Sequence, residues 1–307
     1  MNVLSLFGGI ECGRVALDRL NVKVGNYYSS EIDKYAIAIA TSNYPDIIPL
    51  GDITRWRVWD EKVFNVDLIL AGFPCQAWSL AGRQQGDNDP RGALIHDLIS
   101  VWNKVKKANP NVKFLFENVK MKKEHLDYIN DLFSIKPILI NSALVSAQNR
   151  ERLYWSSFKQ HSQPVNKNIL LKDILEPIVD CPIGIKVREK SKCLRVGGRN
   201  PPFGSKQEWD SPFQRISKKG TLKKGINKAG CLTAGGNSGG NHSDMDIIHG
   251  QHGTRRYSIK ECERLQDLPE GYVNIAGVSK TQQYKAIGNG WTVGVIEHLL
   301  KEILSKG

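Results

Sequence analysis

Four side chains stand where their types could do chemistry: Cys75, Glu117, Arg150 and Arg152. Cys75 lies in Leu70-Ala71-Gly72-Phe73-Pro74-Cys75-Gln76-Ala77-Trp78-Ser79, the stretch around which the chain is organised. A thiolate is a strong nucleophile, but a free thiol of pKa about 8.5 supplies only a few per cent of it at neutral pH. The bland alternative is a buried cysteine packed as a small hydrophobe. Its neighbours weigh against that, because Pro-Cys-Gln followed by the polar, glycine-punctuated Ala81 to Gly92 describes a mobile loop. Glu117 follows directly on the apolar run Lys113-Phe114-Leu115-Phe116. It is either the N-terminal residue of a following helix or a partly desolvated acid, raised in pKa and suited to donating a proton near neutrality. Arg150 and Arg152 alternate in an extended segment and so point the same way. They are either solvated charges on an edge strand or a clamp for an anion or carbonyl.

The elements that must position these groups read as an α/β pattern. Val66 and Leu68 to Leu70 form a short apolar run broken at Gly72 and Pro74, which puts Cys75 at the tip of a strand. Open parallel sheets hold ligands and reactive groups there. Asn2 to Phe7 reads as a first strand, ending at Gly8-Gly9 with Gly13 behind, and a helix follows through Val15, Ala16, Leu17 and Leu20. A second strand, Tyr27 to Ser30, ends at Glu31, and a third, Ile47 to Leu50, ends at Gly51-Asp52. An acid about 20 positions beyond a glycine turn commonly hydrogen-bonds a ribose hydroxyl. Taken singly, these are a closing turn and two solvated carboxylates. At the ends of three successive strands they favour an adenosine-containing cofactor.

Further along, the spacing of Leu94, Leu98, Ile99, Val101 and Trp102 predicts a helix over 93–105, stopped by Asn109-Pro110-Asn111. A helix is expected over Lys122 to Leu132, a strand over Ile138 to Val145, and an aromatic strand at Leu153-Tyr154-Trp155 after Gln148-Asn149-Arg150-Glu151-Arg152. Ser258 and Glu261 make a capping box for a helix that carries Cys262 and Leu265 and stops before Pro269. Thr281 opens a helix ended by Gly288-Asn289-Gly290, and Trp291 to Leu304 is a closing amphipathic helix. Between about Lys159 and Gly250 the composition shifts, with prolines, glycines and basic residues crowding Lys186 to Gly240, which marks a boundary. Interspersed anchors such as Ile174, Leu194, Phe203, Trp209 and Phe213 favour a small basic domain that orders partly on DNA over a disordered linker.

Composition narrows the class. With 43 Lys+Arg against 31 Asp+Glu, the formal net charge is +12, which suggests a polyanionic partner. Nucleic acid is preferred to membrane, because no amphipathic basic helix or apolar span is present. Cys12, Cys75, Cys181, Cys193, Cys231 and Cys262 are spread without metal-ligand spacing, so no metal site is expected. The apolar N-terminus is too short for a signal peptide and lacks its basic start. A cytoplasmic protein with reduced thiols is the expectation.

Taken in order, these residues resemble the DNA cytosine-5 methyltransferases, from Asn2 to about Phe158 and again from Arg255 to Leu304. The motifs are Phe7-Gly8-Gly9-Ile10, Glu31, Gly51-Asp52-Ile53, Phe73-Pro74-Cys75-Gln76, Glu117-Asn118-Val119, Gln148-Asn149-Arg150-Glu151-Arg152, Glu263-Arg264-Leu265-Gln266 with Pro269, and Gln283-Tyr284-Lys285 with Gly288-Asn289. The resemblance implies a Rossmann-like α/β methyltransferase domain dependent on S-adenosyl-L-methionine (SAM), residues 1–158 and 250–307, with a small, irregular target-recognition domain over 159–249. It implies that Phe7, Gly8, Gly9, Ile10, Glu11 and Cys12 cradle the cofactor. Glu31, with Ile32 beside it, would hold the ribose; Asp52 and Ile53 would meet the adenine; Asn289, Gly290 and Trp291 would complete the site. By the same resemblance Cys75 attacks cytosine C6, Glu117 serves N3, Arg152 serves O2, and Arg150 orients the cysteine loop or the phosphate. The implied partner is double-stranded DNA, bound by a monomer that flips the target cytosine out, in a restriction-modification setting and at the nucleoid if the source is bacterial or phage.

Two departures stand out: the turn reads Gly9-Ile10-Glu11-Cys12-Gly13 where bacterial members often have a second glycine pair, and Trp291 resembles the animal de novo enzymes. Neither removes a catalytic group. Three rivals remain in play: a DNA-binding relative that has lost the chemistry, an enzyme acting on transfer RNA, and an NAD-dependent dehydrogenase. The last has no need of Pro-Cys-Gln, Glu-Asn-Val and twin arginines together.

Overall fold

A computed structural model describes residues 1–74, 92–176 and 257–306, together with the backbone of five short strands between 185 and 255. Cys75, the loop through 91 and most of 177–256 lie outside the described residues. The chain divides into two compact units, one of Met1–Ile140, Glu151–Gln163 and Ile296–Gly307, the other of Asn141–Arg150 and Pro164–Val295.

The first unit is built on a seven-stranded sheet. Its strands, in chain order, are β1 (Val3–Leu6), β2 (Tyr27–Ser30), β3 (Ile47–Pro49), β4 (Leu68–Gly72), β5 (Lys113–Val119), β6 (Ile138–Asn141) and, after the two-residue β7 (Gln148–Asn149) of the other unit, β8 (Glu151–Ser156). The spatial order is β3-β2-β1-β4-β5-β8-β6. The first five strands pair in parallel, and β8 runs antiparallel to β5. Central parallel strands are covered on both faces and read as unbroken apolar runs, as Leu68, Ile69, Leu70 and Ala71 do, none more than 1% exposed. Helices α1 (Cys12–Arg19), α2 (Lys34–Asn43), α3 (Leu94–Ala108) and α4 (Lys123–Phe133) follow β1, β2, β4 and β5. On α3 the buried residues are Ile95, Leu98, Val101, Trp102 and Val105, spaced for one face. Trp102 meets Phe114, Phe116 and Phe133 edge-on, with ring centroids 4.8–5.9 Å apart. Phe133 also contacts Trp155 of β8. This aromatic layer fixes the strands that carry Glu117.

Because β1 feeds its neighbours on one side and β4 lies on its other side, the order of connection reverses between them. Ligands of open α/β sheets bind at the C-terminal ends of strands flanking such a reversal. The turn after β1 and the segment Phe73-Pro74 that leads to Cys75 both occupy that edge.

In the second unit, α5 (Leu171–Ile174) precedes the strands β9 (Ile185–Val187), β10 (Ser191–Lys192), β11 (Phe213–Arg215), β12 (Ile248–Gly250) and β13 (Gly253–Arg255). Then come α6 (Ile259–Leu265) and α7 (Lys280–Asn289), while α8 (Val293–Lys306) belongs to the first unit from Ile296 onward. β7 pairs with β10, β9 with β11, and β12 with β13. The capping box expected at Ser258 and Glu261 is present, with both reciprocal bonds made.

Three sequence expectations are corrected. The strand expected over Ile138 to Val145 ends at Asn141, whose side chain accepts from the Ala143 amide and starts a 3-10 turn over Ser142–Leu144. Arg150 and Arg152 do not share one extended strand: β7 stops at Asn149, β8 starts at Glu151, and the two strands pair with different partners. Glu117 does not start a helix. β5 continues to Val119 because β8 supplies an antiparallel partner for it, and α4 begins only at Lys123.

Within the first unit, Glu302 of α8 accepts from His161 Nδ1 at 2.7 Å and Ser162 Oγ at 2.7 Å, while His161 Nε2 lies 2.5 Å from Ser156 Oγ. Burial pushes the Glu302 carboxyl up, but the hydrogen bonds from Ser162 and His161 outweigh it and hold it below its usual 4.5. A carboxyl depressed in the fold contributes stability above its unfolded pKa and loses it as pH falls through the folded value. His161, lowered from 6.5 chiefly by burial, also favours the fold less as acid charges the unfolded chain. Thermal melts should therefore show stability declining on acidification below about pH 6.5. Glu302→Gln is expected to flatten the part of that decline below about pH 4.5; an unchanged acid limb in the variant contradicts the assignment.

Candidate active site

The turn after β1 is strained in a regular way. Phe7, Gly9 and Glu11 all take left-handed backbone, with φ of 56°, 57° and 58°. For Phe7 and Glu11 this costs on the order of 1–3 kcal/mol each and persists only where the surroundings enforce it. Gly9 has open space where a Cβ would stand, so its backbone can be approached closely. The Gly9 amide donates to Glu31 Oε2 at 2.8 Å, and the amides of Ile32 and Asp33 donate to Oε1 at 2.7 and 2.8 Å. Three backbone donors thus fix the Glu31 carboxylate at the mouth of the turn, with acceptor capacity remaining on Oε2. Beside it Ile32 is 73% exposed, an apolar surface suited to the face of a flat ring. Asp52 caps the 3-10 helix Ile53–Val58 by accepting from the Thr54 amide at 2.9 Å, and Ile53 is buried. An open glycine turn, an oriented carboxylate and an exposed apolar residue fit the cofactor the sequence implied.

The side chains of Ile10, Glu11 and Cys12 do not face that opening. They are 1%, 1% and 3% exposed. Glu11 runs beneath the turn to Ser5, Tyr27 and Ser29. What these residues offer a ligand is backbone.

On the other side of β1, Gly72 pairs in register with Glu117. The end of β4, three residues before Cys75, is therefore a strand's width from the candidate acid, about 4.8 Å. Glu117 is 7% exposed, and its Oε1 meets Arg152 Nε at 2.9 Å. The register explains the pair: Arg152 faces Val119, so it lies diagonal to Glu117 on the same face of the sheet. Asn118, which the sequence offers only as a member of Glu117-Asn118-Val119, donates from Nδ2 to the Phe73 carbonyl at 3.3 Å and accepts from the Val119 amide at 2.7 Å. It ties the end of β4 to β5. Its place in Glu117-Asn118-Val119 was the only signal for it.

The second unit holds the remaining candidates. Asn289 ends α7, Gly290 caps it, and Trp291 is half-buried. Arg150, 4% exposed, donates to the carbonyls of Gly288 at 3.3 Å and Gly290 at 2.9 Å. Gln266 donates from Nε2 to Ile287 and Gly290, and its Oε1 accepts from Thr292 and from Gln148. Ser142 donates to Thr292. A closed polar network thus holds the 288–292 turn, and Arg150 belongs to it. Arg152 and Arg150, expected to point the same way, have these separate sets of partners. Glu263 is a scaffold residue of the same unit, accepting from the Gly271 and Val273 amides at 2.7 and 2.9 Å. Among the described residues no cluster of His, Cys, Asp and Glu could hold a metal, and no helix is long and apolar enough to cross a membrane.

Comparison with known proteins agrees with this architecture. Residues 1–305 match the family described as C-5 cytosine-specific DNA methylase. The chain is 30% identical to the type II methyltransferase M1.ScrFI of Lactococcus lactis subsp. cremoris, over 98% of this chain and 77% of that protein. It is 26% identical to M.HhaI of Haemophilus parahaemolyticus, over 99% and 94%. Among solved structures, the S. pombe Dnmt2 methyltransferase superposes with a TM-score of 0.65 at 19% identity, covering 99% of this chain and 98% of that one. A putative DNA modification methyltransferase encoded within an E. coli prophage gives 0.63 at 17% identity, with 100% of each chain covered. Both establish the likeness of fold.

Proposed function

The chain belongs to the C-5 cytosine-specific DNA methylase family, and we propose that it methylates C5 of a flipped-out cytosine at a specific sequence in double-stranded DNA through a covalent bond between Cys75 and C6. Cytosine C5 is too poor a nucleophile to take a methyl group unaided. Addition of the Cys75 thiolate to C6 makes C5 the nucleophilic carbon of an enamine. SAM, when bound, supplies an electrophilic methyl group on its sulfonium. As charge moves into the ring, N3 takes a proton and O2 needs a donor. Glu117 serves N3 and Arg152 serves O2. When C5 has been methylated, its proton leaves and the Cys75–C6 bond breaks, which restores the thiolate.

The observation that carries this reading is the Glu117–Arg152 pair, with Glu117 on β5 beside the end of β4, where the cysteine segment begins, and Arg152 on β8 beyond it. Phe7 to Cys12, Glu31, Ile32, Asp52 and Ile53 would hold the cofactor, joined by Asn289, Gly290 and Trp291. Arg150, which binds the Gly288 and Gly290 carbonyls, would orient the cysteine loop or the phosphate. Residues 159–249 supply target recognition, with 1–158 and 250–307 as the catalytic domain. The enzyme works as a monomer on DNA, without metal, in the cytoplasm.

Bisulfite sequencing of DNA from a host expressing the protein, alongside methyl incorporation into duplex DNA and transfer RNA, tests the substrate. Methylated cytosines confined to one short DNA sequence are expected. Incorporation into transfer RNA alone would overturn the DNA assignment.

A further inference from the structure

Glu11 is a buried carboxylate at the cofactor turn for which the reaction above has no use. Its Oε2 accepts from Tyr27 OH at 2.7 Å and Ser5 Oγ at 2.8 Å, and its Oε1 from Ser29 Oγ at 2.5 Å. The space it fills exists because residue 8 is glycine: a Cβ there would overlap Glu11 Oε1 and crowd Ser5 Oγ. Its left-handed backbone, φ 58°, is one that non-glycine residues adopt at a cost. A backbone strain and a reserved hole are thus both accepted in order to seat one carboxylate under Gly8-Gly9.

The groups that face it are Ser5 from β1, Tyr27 and Ser29 from β2, and Glu31 just beyond β2. On its own helix are Cys12 and Arg14. Arg14 stacks over the Tyr27 ring at 5.5 Å and is paired with Asp18 and Asp46. Among the described residues, the partners that hydrogen-bond to Glu11 through side chains are hydroxyls, not cations. Three donors favour the ionised form, since a neutral carboxyl would have to turn one of those hydroxyls around. Burial acts the other way and pushes the Glu11 carboxyl up, against the Ser29, Tyr27 and Ser5 hydroxyls, and the charge of Glu31 adds to the rise. Acid therefore neutralises it sooner than an ordinary carboxyl.

We propose that Glu11, held beneath the turn by three hydroxyls, is a selectivity residue whose ionised form favours the sulfonium cofactor over the uncharged thioether left after methyl transfer. The inference rests on the cofactor reading of the Phe7–Cys12 turn. SAM and S-adenosylhomocysteine share ribose, adenine, amine and carboxylate and differ by one methyl group and one positive charge at sulfur. Contacts to the shared parts, including those of Glu31, cancel in the ratio of their affinities. The charge of ionised Glu11 does not cancel, and at an effective dielectric of 20 a charge about 12–17 Å from the sulfur changes the ratio by about five- to tenfold.

Calorimetric Kd values for both ligands, on the intact protein without DNA, provide the test. Glu11→Gln is expected to weaken SAM about five- to tenfold and S-adenosylhomocysteine less than twofold. In the wild-type protein the preference for SAM should decline as pH is lowered, and in Glu11→Gln the decline should be shallower. The wild-type titration needs no variant to fold. Ser29→Ala, which removes one donor to the ionised form, should move the decline to higher pH. An equal loss for both ligands in Glu11→Gln, or a wild-type ratio independent of pH, overturns the proposal and leaves Glu11 a structural residue. If Glu31→Ala leaves both Kd values unchanged, the cofactor reading of the turn fails instead, and this proposal falls with it.

Discussion

Cys75→Ala is expected to lower methyl transfer to DNA by more than about 10³-fold while SAM and DNA still bind. The size of the effect follows from the substrate. Without a group added at C6, C5 of cytosine has no means of attacking a methyl group, and neither general acid nor cofactor can replace that electron pair. Retained binding separates loss of the nucleophile from loss of the fold: SAM Kd and a gel-shift Kd for duplex DNA should stay within about threefold of wild type, a shift of under 1 kcal/mol. A variant with full activity contradicts the mechanism. One that binds neither ligand reports misfolding, and Cys75→Ser, closer in size, then takes its place in the same assays.

The second large effect is at the Glu117–Arg152 pair. Removing one preorganised donor to a developing charge costs about 2.7–4 kcal/mol, or roughly 10²–10³ in rate. Glu117→Gln and Arg152→Ala should each lose kcat in that range with little change in SAM affinity. The pair is in contact at 2.9 Å and largely buried, so the two losses should not multiply. Each single change removes one charged partner of the other group, and that penalty is not incurred twice in the double variant. Single-turnover rates for the double variant are therefore expected above the product of the two single effects. Strict multiplication would mean that the groups act independently and that their contact is incidental.

How much of this could be read from the residues differs from element to element. The strand ends at Ser30 and Pro49 and the capping box at Ser258 were legible, because apolar runs, glycines and caps act over a few residues. The candidate acid was legible by type, but its place in a strand was not: β5 extends past Phe116 only because β8, over thirty residues later, pairs with it. The two arginines show the limit more sharply. Their alternation is a correct reading of an isolated extended segment, yet the chain leaves one sheet and enters another between Asn149 and Glu151. At the glycine turn the sequence located the ligand-facing residues but could not tell backbone from side chain. That depends on where Glu11 finds hydroxyls, on strands 6 to 18 positions away. Asn118 and Gln266 were legible only as members of motifs, and their contacts and those of Thr292 were not, since each acts on a partner distant in sequence.

The most direct test of the account is a duplex oligonucleotide containing the mapped target site with 5-fluorocytosine at the methylated position, incubated with the enzyme and SAM. Fluorine cannot leave C5 as a proton does, so the Cys75–C6 bond, once formed, should persist after methyl transfer. The account predicts a denaturation-resistant protein–DNA adduct that requires SAM and whose peptide mass places the link at Cys75. DNA methylated at its ordinary cytosines by an enzyme that forms no such adduct, or forms it elsewhere, would contradict it.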